Sequence, residues 1–171
     1  METFEVKRGL AKKLASEGGL AGVASKHFDN IDGDGDAFTG NHGIMTSISG
    51  EYNALGKLVV DVSQVLPDFK DEDAMIAAND DRRRWSAFLD EATGYNSKQR
   101  GDKAKEVAKK AAKAKSGISQ ARHFMDMATN LSDETRAQAE EFITTIEGLL
   151  EAGDNTKAES TAKKLGDLLS S

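Results

Sequence analysis

Between Ala104 and Ala128 the apolar residues advance by three and four positions in strict alternation: Ala104, Val107, Ala111, Ala114, Ile118, Ala121, Met125 and Ala128. A repeat of about 3.5 residues is the period of helices that wind around one another. The run therefore predicts one long helix with a narrow seam of mostly small side chains, close enough in outline to admit a partner helix. Gly117 is its weakest point, because glycine costs a helix interior about 1 kcal/mol relative to alanine.

Two more helical segments follow. Ser132, with Asp133 and Glu134 behind it, can cap free amides and place negative charge at a helix start. The stripe Ala139, Phe142, Ile143, Ile146, Leu149 and Leu150 runs up to the Gly153-Asp154-Asn155 break, and a last stripe uses Ala158, Ala162, Leu165, Leu168 and Leu169. Residues 98–169 are thus expected to form a three-helix antiparallel arrangement with short turns.

Upstream, the same steps of three and four recur. Phe4, Val6, Leu10 and Leu14 precede the Gly18-Gly19 break, and Leu20, Val23, Ala24, Phe28 and Ile31 follow it. Ile44, Ile48, Tyr52, Leu55, Val59, Val62 and Leu66 predict a helix closed by Pro67, the single proline, with Gly50 and Gly56 marking close approach of a neighbouring helix. Asp68 or Asp71 can cap the next segment, whose stripe is Met75, Ile76, Trp85, Phe88 and Leu89, in one bent helix or two. Period-two runs are short and lack hairpin turns. The expected fold class is all-α: a multi-helix bundle with a helix–loop–helix in the N-terminal half and the three-helix part at the C-terminal end. The expected division lies near residue 94, with 1–94 carrying an acidic loop at 29–41 and 95–171 able to share one domain with it.

Composition removes several kinds of chemistry. Among 171 residues there is no cysteine, so disulfides, thiolate zinc sites, iron–sulfur clusters and cysteine nucleophiles are excluded, and three histidines argue against a multi-histidine metal centre. The N-terminal stretch has mixed charge and no apolar core of the kind a secretory signal needs, and the longest apolar run, Leu58–Val62, is cut by Asp61. A soluble chain, cytoplasmic by default, is the expectation, with no membrane partner.

The formal charge of −6 conceals a basic segment: positions 98–122 carry nine basic and two acidic residues, a local charge of +7. Those lysines lie off the seam and no aromatic residues interleave for base stacking, which favours a solvated helix face over nucleic acid. Arg82-Arg83-Arg84 is expected to pair with Asp80, Asp81 or Glu91, and His123 to sit on a helix surface. No nucleophile–base pair, phosphate loop or ligand cluster appears, so no enzyme activity is expected.

The acidic loop is the one candidate site. Asp29, Asp32, Asp34 and Asp36 alternate with Asn30, Gly33 and Gly35 between two expected helices, followed by Phe38 and Asn41. Over about residues 20–55 this resembles an EF-hand, the calcium-binding helix–loop–helix, in which side-chain oxygens at loop positions 1, 3 and 5 meet a hard cation. The resemblance implies calcium as the cofactor and Asn30, Asp32, Asp34, Asp36, Phe38 and Asn41 as the metal positions. Starting at Asp32 puts Ala37 where glycine is required; starting at Asn30 puts Gly35 there correctly; a loop shortened by one residue ends at His42. In every register the closing bidentate glutamate is missing, leaving water, Glu51 or a partner to complete the site. The alternatives are an empty Asp/Gly turn and a transition-metal site using His27 or His42.

The expectation is a non-enzymatic, calcium-binding helical protein with one variant EF-hand-like loop. The alternative is a helical-bundle interaction or assembly protein, such as an adaptor or a phage or other particle component, without a metal site. Its partner, another protein or a second copy, would dock on the 104–128 seam.

Overall fold

In the computed structural model, which describes residues 1–171, burial between residues 37 and 64 alternates with period two. Phe38, His42, Ile48, Gly50, Leu58 and Val60 are buried, while Thr39, Asn41, Glu51 and Asp61 are exposed. That is the pattern of strands with one covered face. The all-α expectation is therefore corrected: the N-terminal half contains a five-stranded antiparallel sheet, and the fold mixes α and β. Spacing misled because the steps from Ile44 to Ile48 to Tyr52 are four residues long. An even step keeps a residue on the same face of a strand just as it returns it to the same face of a helix.

The strands are β1 (Glu2–Phe4), β2 (Asn30–Asp34), β3 (Ala37–His42), β4 (Met45–Tyr52) and β5 (Leu58–Gln64), in the sheet order β1-β5-β4-β3-β2. Two-residue turns join β2 to β3 and β3 to β4. Each has glycine at its first central position, Gly35 at φ +63° and Gly43 at φ +53°, a conformation that matches the twist of a hairpin and that other residues rarely adopt. The expected helix–loop–helix is thus the hairpin β2–β3. Gly50, expected to admit a helix, lies opposite Phe38 on the neighbouring strand, and a Cβ there would meet the Phe38 ring at 2.5 Å.

Helices α1 (Leu10–Ala15), α2 (Gly19–His27) and α3 (Glu72–Thr93) belong with this sheet. Leu14, Leu20, Val23, Ala24, Phe28, Phe88, Leu89 and Ala92 form one core with Phe38, Met45, Ile48, Leu58 and Val60. The stretch 72–93 is a single helix. Asp71 caps it by accepting from the backbone N–H of Asp73 (3.0 Å) and Ala74 (3.2 Å), and Gly94 at φ +74° ends it. Arg100, in the first turn of α4 (Ser97–Met127), is buried and donates to the Asp90 carboxylate and to the Tyr95 carbonyl.

The chain divides into two compact units, Met1–Asp102 and Lys103–Ser171. In the second, α5 (Asp133–Glu151) and α6 (Asn155–Ser170) share a core with the long helix. Ala114, Ile118, Ala121 and Met125 of the seam are buried with Ala139, Ile143, Ile146, Ala158 and Leu165. Ser132 and Asp154 cap α5 and α6 by accepting from Thr135 N–H (3.1 Å) and Lys157 N–H (3.2 Å). Gly117 brings helices together, since a Cβ there would stand 2.9 Å from the Ala162 Cβ. No helix is long and apolar enough to cross a membrane.

Candidate functional site: a sheet–helix cleft beside a buried histidine–aspartate pair

The acidic segment sits on the outer rim of the sheet. Asn30, Asp32 and Asp34 alternate along β2, with Asn41 opposite Asn30 on β3 and their side-chain amides hydrogen-bonded at 3.0 Å. Phe38 pairs with Gly33, in the other phase of the alternation, and its ring is buried in the core. Asp36 belongs to the turn, where its carbonyl accepts from Tyr52 N–H at 3.0 Å. The six expected ligand positions therefore do not converge, and nowhere do three or more His, Asp or Glu side chains come together in a way that could hold a metal ion. The calcium-binding reading is corrected on that ground: in a strand, residues two apart are separated by about 6.6–6.8 Å and point outward in parallel.

The residues that do converge come from the end of α2 and the link to β2, the end of β3 with its turn into β4, and α3. Asp81 is only 7 % exposed and occupies the apolar stripe of α3 between Ala78 and Trp85. Its Oδ2 accepts the Ile44 backbone N–H at 2.8 Å, and its Oδ1 lies 3.4 Å from His42 Nε2. His42, 9 % exposed, accepts the Asp29 backbone N–H on Nδ1 at 3.2 Å. That bond assigns the neutral ring a lone pair on Nδ1 and a proton on Nε2 facing Asp81. The Asp29 carboxylate lies 3.1 Å from the same Nδ1. Gly43 beside it leaves room for the aspartate: a Cβ there would fall among the Asp81 carboxylate atoms.

The Phe28 ring separates this pair from a second one, with centroids 5.9 Å from His42 and 6.3 Å from His27. His27 Nε2 and Lys26 Nζ each approach Glu91 at 2.8 Å. Burial raises the cost of ionising Glu91, but hydrogen bonds from Lys26 and His27 outweigh it and hold the carboxyl below the usual range. Tyr52, which donates to the Ala92 carbonyl at 2.6 Å, is pushed up to about 12 by burial first and by the charges of Asp36 and Glu91 second.

Next to Asp81 the sheet and α3 leave a cleft of about 280 Å³. Its sheet wall is Glu2, Met45, Val62 and Gln64, and its helix wall is Asp81, Arg82 and Trp85. Along β5, Leu58 and Val60 are covered while Val62 and Gln64 are not, so the cleft is the open continuation of the core face. The second unit has a wider groove, of about 540 Å³, between α4 and α5. The charged groups along it, Lys115, Arg122, Glu147 and Glu151, are all exposed.

Residues 1–106 match a family described as DUF5611, a domain of unknown function. The chain belongs to that family. The match spans all five strands, α1 to α3 and the first turns of α4, so the cleft and both histidine–carboxylate pairs lie within the DUF5611 region. No curated protein and no solved structure matches the chain.

Sequence reasoning passed over Asp81, which it offered only as an ion-pair partner for the arginines. Of the expected pairings Arg83 approaches Asp80, at 3.7 Å, while Arg82 donates to Asn79 Oδ1 at 3.3 Å and Arg84 to the His27 carbonyl at 3.4 Å. The available signal was a carboxylate at the spacing of Ala78, Trp85 and Phe88, since an acid on a core stripe is rarely buried without a partner.

Proposed function

We propose that the DUF5611 unit of this chain is a non-enzymatic binding module that receives a small organic molecule in the cleft between the open end of its sheet and α3. The observation that carries the reading is Asp81: a carboxylate that is 7 % exposed, held by Ile44 N–H and faced by His42, forms part of the wall of a concave, half-apolar space. Convergent polar groups in an apolar concavity are what orient a bound ligand. The lining combines carboxylates, a guanidinium and an amide with apolar groups, the mixture that holds and orients a ligand.

Trp85 is the single tryptophan and lines the cleft, so its fluorescence reports occupancy directly. A fragment screen read by Trp85 emission and by melting temperature should return saturable ligands. Val62→Phe, which fills the cleft from an exposed position, should abolish their binding. If ligands bind Val62→Phe as they bind the parent chain, the site is elsewhere.

A second reading, protein interaction, draws on the connector from β5 to α3, where Leu66 is 75 % and Phe69 70 % exposed beside Val65 and Ile76. The seam on the long helix supports it less, because residues from Ala114 to Met125 are covered by α5 and α6. Sedimentation over a range of concentrations tests this reading, with Leu66→Ser plus Phe69→Ser expected to abolish any self-association.

A further inference from the structure

Resting on the cleft reading, we infer that the ligand class is a small organic cation: a monovalent ammonium carried on a compact apolar or aromatic body. The walls carry two carboxylates, Glu2 and Asp81, against one guanidinium, Arg82. Arg82 is turned along its own helix to Asn79 Oδ1, at 3.3 Å. Glu2 stands opposite Val60 in the β1–β5 ladder, and directly opposed residues share a face, so it points to the covered side of the sheet as Val60 does. No ion pair engages Glu2, whereas the acids elsewhere around the core, Asp90 and Glu91, each have a cationic partner.

Asp81 uses one oxygen for the Ile44 N–H, and the other has only the 3.4 Å approach of His42. A carboxylate offers about four acceptor positions, so capacity is left over for an ammonium donor. Trp85 supplies the third element. Its ring packs on Phe28 and Phe88, with centroids 5.9 and 5.4 Å away, and it also lines the cleft, so a held aromatic group borders the space a cation would enter. Ile44, Met45 and Val62 provide the apolar seat. The volume, about 280 Å³, falls just below the ~300–1,000 Å³ typical of drug-sized ligands and so selects a smaller occupant.

The test uses the full chain, calorimetry and Trp85 fluorescence at constant ionic strength, with three probes of one shape: 2-phenylethylammonium, 2-phenylethanol and phenylacetate. The expected result is saturable binding of the ammonium at least ~10-fold tighter than the alcohol, and no binding of the carboxylate. Glu2→Gln, an exposed position, should cut ammonium affinity by about 3-fold or more and leave the alcohol unchanged. Asp81→Asn, which keeps an oxygen for Ile44 N–H, should cut it further, with the melting curve checking the fold. Equal or tighter binding of the alcohol, or preference for phenylacetate, overturns the cation assignment and leaves the cleft as a ligand site. Failure of all three probes to bind, or undiminished binding to Val62→Phe, overturns the cleft reading itself.

Discussion

The two units handle charge in opposite ways. In residues 1–102 charged groups enter the interior: Asp81 lies buried on a core stripe and Arg100 is buried beneath its partner Asp90, while Glu91 joins Lys26 and His27 at the half-exposed margin of the aromatic cluster. In residues 103–171 the buried core is purely apolar, and charges pair around it, as in Lys110–Glu106 and Arg122–Glu147 on the outside and Lys113–Glu159 at the edge. The apolar bundle needs nothing buried except volume, whereas the sheet unit holds polar groups at a desolvation cost that only a specific arrangement offsets. A binding site is therefore to be sought in the first unit, and of the +7 segment of the long helix Lys113 and Arg122 pair with acids of α6 and α5.

The strongest way to break that contrast is to hollow out the aromatic cluster. Phe88 is fully buried among Phe28, Phe38 and Trp85, so Phe88→Ala should cost about 3–5 kcal/mol, read as the denaturant midpoint of Trp85 fluorescence. A loss below about 1 kcal/mol would mean the cluster is not the core of this unit.

Next is the buried carboxylate. Asp81→Leu strands the Ile44 N–H and removes the group facing His42, and should cost about 1–3 kcal/mol, with Asp81→Asn costing less. Two variants of equal stability would show that the Ile44 bond contributes nothing.

In the bundle, glycines sharpen the comparison. Gly148 has open space around a Cβ, so Gly148→Ala should stabilise by about 0.5–1 kcal/mol through helix propensity. Gly117→Ala should gain nothing or lose stability, because its Cβ would meet that of Ala162 at 2.9 Å. Equal gains at both sites in thermal melts would deny the close approach.

The smallest effect is in acid. Glu91 has its carboxyl lowered in the folded state, so its contribution is present above about pH 4.5 and is lost as pH falls through the folded value. A third of the side chain is exposed and solvent screens it, so Glu91→Gln should remove at most about 1 kcal/mol of that acid-dependent stability. Identical acid-unfolding curves for parent and variant would show the Lys26–Glu91–His27 group to be energetically idle.

Much of the helical architecture was legible from local spacing. The cap at Ser132, the choice of Asp68 or Asp71 ahead of α3, the break at Gly153-Asp154-Asn155, the stripe of α5 and the 114–125 seam all follow from interactions within about four residues. The strands were not legible, since Ile44, Ile48 and Tyr52 satisfy either period and the turn at Gly35 looks like half of a metal loop when its flanks are taken for helices. Asp32 and Asp34 then read as ligands, when as strand neighbours they only point outward.

The sequence by itself determined the bundle and its caps, because a helix satisfies its backbone groups from residues a turn away. It also determined that the chain has no thiol chemistry. Only the tertiary structure decided the sheet and the cleft, since a strand's partners are fixed by pairing across the chain. The Asp81 carboxylate meets the Ile44 amide from 37 positions away, and no local pattern announces that meeting.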